Sequence, residues 1–164
     1  MRRLAGPATL AVAALAVPSA APGRSADARA LWATVNVCDT ITNPNTIGIR
    51  GSMPGADNHN EQMFMRFRVQ YFDVQAQKWH NVRKNGDSGF VPVGKAKFKA
   101  RQAGLGFVFS PAPGQSFQMR GKVTFEWRLN GKVVRRAIRM TTAGHHSTAG
   151  SDPEGYSSDT CVIS

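Results

Sequence analysis

The chain is short of acid: ten Asp and Glu stand against 21 Lys and Arg, for a formal net charge of +11. It also lacks the residue patterns that announce several chemistries. There is no G-x-S-x-G turn, no H-E-x-x-H pair, no phosphate-cradling P-loop and no EF-hand loop, so those forms of hydrolysis, nucleotide binding and calcium binding are excluded. Two cysteines without C-x-x-C spacing do not make the usual thiolate metal site. Helical periodicity is missing as well, because apolar residues recur at intervals of two and not 3.6.

What is present begins with an export layout. Arg2 and Arg3 are followed by no charge until Arg24, and Leu10 to Val17 is wholly apolar. Gly6, Pro7 and Pro18 interrupt the run, so it falls short of the roughly 18 apolar residues that a spanning helix needs. The expectation is a signal peptide over residues 1–28, cut between 21 and 28. Ser19-Ala20-Ala21 offers small residues but places Pro22 after the cut, and Ala26-Asp27-Ala28 fits better but lies farther from the apolar run. No transmembrane anchor is expected after cleavage, and no cysteine follows the apolar run to carry a lipid. Removing Arg2 and Arg3 takes the formal charge from +11 to +9, and a cut after Ala28, which also removes Arg24 and Asp27, gives +9 again. Outside the cell such a chain meets anionic envelope polymers and polysaccharides before nucleic acid, and no nucleic-acid partner is expected. An oxidising compartment makes an even cysteine count a disulfide candidate, and one pairing exists, Cys38 with Cys161. Two free buried thiols are the alternative.

The whole chain has 164 residues, 41% of them hydrophobic, and beyond the leader it reads as one domain of short strands. Strands are expected over Ala30 to Asp39, Thr46 to Met53, Met63 to Val74, Lys78 to Arg83, Lys95 to Arg101 and Leu105 to Ser110. Gly48 and Gly51 allow close approach or a bulge in the second. Asn85 to Gly89 reads as loop, and the lysines of Lys95 to Arg101 suggest a solvated edge. Met63, Met65, Phe67, Val69 and Tyr71 share one parity and face the core. The methionines between 53 and 119 are core filler on the same argument.

A hairpin follows. Phe117, Met119, Gly121, Val123, Phe125, Trp127 and Leu129 are all odd, and Asn130-Gly131 suits a type I′ turn because both central residues take positive φ. A two-residue loop pairs Trp127 with Val134, Val123 with Ile138 and Glu126 with Arg135. That register leaves Arg120, Lys122, Arg128, Arg135 and Arg139 outside but sets Arg136 against Phe125 inside. Either a one-residue bulge or an arginine lying over the ring and reaching the rim relieves it.

Seven or eight short strands with Gly and Pro turns indicate an all-β antiparallel sandwich. From Leu31 to Cys161 the phrases SGFVPVG, FEWRLNGKVVRR and DPEGYSSDTC resemble small exported bacterial domains with an immunoglobulin-like or fibronectin type III-like sandwich. The resemblance implies an uncharacterised secreted or cell-surface binding module, its C-terminal tail 143–164 pinned by a disulfide between the first strand and the C-terminus. Antibody domains differ in placing their cysteine pair on two facing strands around a core Trp.

The functional expectation is a secreted, non-catalytic module without cofactor, acting in binding or adhesion on an anionic envelope polymer, a polysaccharide or another secreted protein. Its candidate anion-binding face is Arg66, Arg68, Arg120, Lys122, Arg128, Arg135 and Arg139. Trp79 is the candidate carbohydrate platform, since an exposed indole offers a flat apolar surface. One alternative is a passive accessory domain that docks a partner through a strand edge. Another is a metal-dependent hydrolase using His145 and His146 with nearby acids, although adjacent residues on a strand point apart and a loop pair still needs a third ligand.

Overall fold

The computed structural model describes residues 29–56, 58–97, 99–145 and 149–164. The expected signal peptide and its cut lie outside them, as do Phe98 and His146. Nine strands appear among the described residues: β1 (Trp32–Cys38), β2 (Thr46–Pro54), β3 (Glu61–Asp73), β4 (Lys78–Asn81), β5 (Asp87–Lys95), β6 (Ala100–Val108), β7 (Phe117–Leu129), β8 (Lys132–Met140) and β9 (Thr160–Ile163). They form an antiparallel β-sandwich. One sheet runs β1-β2-β6; the other is centred on β3 and β7.

The two 13-residue strands explain the larger sheet. β3 and β7 pair without interruption from Glu61 opposite Leu129 to Tyr71 opposite Met119. Each is too long for one short neighbour, so its other edge is shared. β5 and then β4 line the outer edge of β3, while β8 and β9 line that of β7. The expected parity holds. Met63, Met65, Phe67 and Val69 are fully buried, as are Val123 and Phe125, and Trp127 is 1% exposed. Burial of each such side chain contributes about 1.5–3 kcal/mol. The Trp127 indole donates to the Pro54 carbonyl at 3.0 Å, which satisfies its polar atom inside the core. Gly51 abuts the Phe125 ring, where an added Cβ would sit 3.2 Å from Cε1, so close approach is the reason for that glycine.

Four expectations need correction. Lys95–Arg101 is not a strand: β5 ends at Lys95, and the next residue, Ala96, is fully buried. The Ala96 amide donates to the Glu61 carbonyl at 3.1 Å and its carbonyl accepts from the Ala56 amide, so the chain is turned inward there and β6 starts only at Ala100. Residues 87–95 form an edge strand although Asn85–Gly89 reads as loop; Pro92 is tolerated because an edge strand leaves one side of its backbone unpaired. The C-terminal tail contributes β9, which a Gly-, Ser- and Asp-rich neighbourhood conceals.

The hairpin register is the fourth. Its first pairs agree with the two-residue turn, Leu129 with Lys132 and Arg128 with Val133. A bulge then absorbs Val134, and beyond it Trp127 faces Arg135, Glu126 faces Arg136 and Val123 faces Arg139. Of the two reliefs open to Arg136, the bulge operates. It moves Arg136 to the outer face and carries Arg135 and Arg139 to the inner parity, the reverse of the expected placement. There Arg135 lies over the Trp127 ring, 3.7 Å from its centroid.

Cys38 and Cys161 are disulfide-bonded across 123 residues, with Cα atoms 5.4 Å apart. The bond joins β1 of the smaller sheet to β9 of the larger. The segment before β9 also lies along β1: Val35 and Ser158 exchange backbone hydrogen bonds of 2.9 and 3.0 Å, and the Asn36 carbonyl accepts from the Asp152 amide. Asp152 accepts in turn from Thr40, Thr42 and Asn43. Among the described residues no helix is long and apolar enough to cross a membrane. Replacing both cysteines by Ser is expected to cost about 2–5 kcal/mol in denaturant unfolding. Hydrogen exchange should then accelerate first at Val35 and Ser158 and not at Phe67 or Phe125; a variant as stable as the parent would contradict the assigned role of the bond.

Candidate functional site: the outer face of the six-stranded sheet

Even-numbered residues of β3 and β7 point away from the core, and cross-strand partners share a face. In order, Gln62 faces Arg128, Phe64 faces Glu126, Arg66 faces Thr124, Arg68 faces Lys122 and Gln70 faces Arg120. β8 adds Arg136 beside Glu126, β5 adds Phe90 beside Arg66, and β4 adds Trp79 beside Phe72. Six cations and four aromatic rings therefore occupy one surface.

At one end the charges are neutralised. Glu126 is 1% exposed, and its two oxygens are held separately by Arg128 Nε and Arg136 Nε, both at 2.8 Å. Burial pushes the Glu126 carboxyl up, but the hydrogen bonds and charges of the two guanidinium groups outweigh it and hold the group below its ordinary range. Arg128 also lies over Phe64 and Phe90, 4.2 and 4.7 Å from their centroids. Arg66 Nε donates to Asp87 at 2.8 Å, and that bond, assisted by the Gly89 amide, lowers the Asp87 pKa against its own burial.

The other half carries cations that no carboxylate hydrogen-bonds among the described residues, although Asp87 stands across from Arg68 on β5 and its pKa is lowered in part by that charge. Arg68 reaches Thr124 Oγ1 at 3.4 Å, while its Nε is buried without a hydrogen-bond partner. Lys122 stands directly across from it. Arg120 Nε donates to Gln70 Oε1 at 2.9 Å, and Gln70 is itself fixed by Asn81. The Arg120 guanidinium lies 4.2 Å from the Trp79 centroid, and Trp79 packs against Phe72. Stacking of this kind is worth about 0.5–2 kcal/mol and leaves the fork edge free for an anion.

Five of the seven expected anion-binding residues, Arg66, Arg68, Arg120, Lys122 and Arg128, thus share the surface, whereas Arg135 and Arg139 lie on the opposite parity. Arg136 joins the face unforeseen; the signal was the clash that its unbulged register creates with Phe125. Trp79 is half-buried, with one face occupied by Arg120, which narrows the room for a stacked sugar. His145 lies flat on Trp32, centroids 4.5 Å apart, and its Nε2 meets Thr142 Oγ1 at 3.2 Å. His146 lies outside the described residues, among which no three His, Cys, Asp or Glu side chains gather.

Comparison with protein-family models finds no match to the chain. No curated protein matches its sequence.

Glu126→Gln is expected to lower stability by about 1–3 kcal/mol, because Arg128 and Arg136 lose a charged acceptor. Both Glu126 and Asp87 have lowered folded pKa values, so their stabilisation is present above the ordinary carboxylate range and is lost as pH falls through the lowered values. Thermal unfolding midpoints should hold from pH 7 to about 5 and fall below about 4. The decline should be shallower in Glu126→Gln, and an equally steep decline would show that the carboxylate contributes nothing.

Proposed function

We propose that the chain is an exported, non-catalytic binding module that holds anionic envelope polymers or polysaccharides on the outer face of its six-stranded sheet. The observation that carries this reading is the cluster of Arg68, Lys122 and Arg120, adjacent across two rigid central strands and hydrogen-bonded to no carboxylate among the described residues, since Asp87, across from Arg68, is engaged by Arg66. A polymer that lays one anionic group on each cross-strand row gains several weak contacts at once. The neutralised end supports the cluster, since Glu126 and Asp87 hold Arg128, Arg136 and Arg66 in place. Long β3 and β7 give the surface a backbone that need not reorganise on binding.

The strand order supports an immunoglobulin-like assignment for the module. The first, second and sixth strands share one sheet, and the third, seventh and eighth the other, as strands A, B, E and C, F, G do in that fold. Export is supported by the leader pattern and by the disulfide. A second reading, docking of a protein partner, is favoured by one observation: among the described residues β6 pairs with β2 alone, and it exposes Leu105 (37%) and Val108 (63%).

The test is retention of the mature chain on an immobilised polyuronate and on dextran sulfate across a salt gradient. Arg68→Ser, Arg120→Ser and Lys122→Ser together should elute at markedly lower salt than a control in which Lys95, Lys99 and Lys132 become Ser. Equal displacement of the two would mean that net charge alone is responsible and would discard the site.

A further inference from the structure

Two cavities lie side by side at one end of the sandwich. The first, about 240 Å³ and open to solvent, is lined by Tyr71, Val82, Phe109, Ser110, Pro111, Phe117 and Met119. The second, about 470 Å³, is bounded by Tyr71, His80, Asn81, Val82 and Arg83. Tyr71 and Val82 line both, so the two are immediate neighbours.

Strand register produces this gradient from apolar to polar. Tyr71 lies between Met119 on one neighbouring strand and His80 on the other, all three on the inner parity. Met119 is 4% exposed, whereas His80 stands in solvent, its ring 5.7 Å from that of Tyr71. Phe117 meets Tyr71 edge-on at 6.4 Å. The walls stand on anchored backbone: the Val82 amide donates to Val69 and the Phe109 amide to Asn45, each at 2.9 Å. The apolar part is therefore formed before any ligand arrives.

At the mouth the charge is positive. Arg83 is exposed and makes no ion pair with the described residues, and Lys84 follows it in solvent. Asp73, 3.9 Å from His80, is the acid that faces this side. Apolar cavities of roughly 150 Å³ hold a benzene ring, so the first cavity accommodates a ring with a short alkyl arm or a chain of about eight carbons. A neutral hydrocarbon would leave the guanidinium and the tyrosine hydroxyl unused. We propose that this end of the sandwich binds a small amphiphilic carboxylate, its apolar body against Phe109, Phe117 and Met119 and its head group toward Arg83. The site contains none of the polyanion-face cations, although Asn81, which fixes Gln70 on that face, also bounds the second cavity.

Octanoate and 1-octanol, titrated into the mature chain by calorimetry and followed at the Met119 methyl by NMR, test the assignment. Octanoate should bind saturably and shift Met119. Arg83→Glu should weaken octanoate about tenfold while leaving octanol unchanged. Val82→Phe or Ser110→Phe, whichever melts like the parent, should abolish both by filling the cavity. The Arg68, Arg120 and Lys122 triple variant should bind octanoate normally, which separates this site from the polyanion face. Absence of saturable binding, shifts confined to the outer sheet face, or octanoate binding that survives a folded cavity-filling variant would overturn the proposal.

Discussion

The unbroken pairing of β3 with β7 is the constraint on which the remaining structure depends. With a side-chain period of two, one register fixes which residues of both strands face inward. It sends the odd set to the core and leaves arginines, a lysine and aromatic rings on the other side, with Gln62, Gln70, Thr124 and Glu126 among them. A slip of one residue would bury Arg66, Arg68 and Arg128 and expose Phe67 and Phe125, so the hydrophobic face and the cationic face are two results of a single choice. The short strands take their positions from this pair.

The bulge at Val134 shows how a local irregularity settles an electrostatic problem. Without it Arg136 would point at Phe125, where a guanidinium loses its water and gains no acceptor. With it Arg136 reaches the carboxylate of Glu126, and the displaced Arg135 finds the Trp127 ring. Glu126 is tolerated at 1% exposure because both its oxygens are engaged by charged donors. The acid-poor composition makes that position more consequential, since few other carboxylates are present to balance the basic strands.

Much of this was legible in the residues. The long strands, their parity, the Asn130-Gly131 turn and the cysteine pairing follow from period, turn chemistry and count. The parts that escaped share a cause: each depends on a partner distant in sequence. SGFVPVG has no alternation that marks a strand and becomes one beside β3. TCVI is too short to stand out and is held by β7 and a disulfide. Lys95–Arg101 alternates well, yet Ala96 is drawn inward by the backbones of Glu61 and Ala56. Arg136 was visible as a conflict but not as a contact, because the register shift that resolves it is a property of two strands together.

The C-terminal segment that lies along β1 has a kinetic consequence. Its contacts with Val35, Asn36 and Cys38 span more than two thirds of the chain, so the first strand remains uncovered until residues near Cys161 have been synthesised. Folding of the β3–β7 centre can run ahead, while closure of the β1 edge waits for the slowest, most non-local loop in the molecule. Throughout that interval β1 offers open backbone to any passing strand. A chain built this way is exposed to mispairing during its passage to the folded state, and its yield depends on how quickly its end arrives.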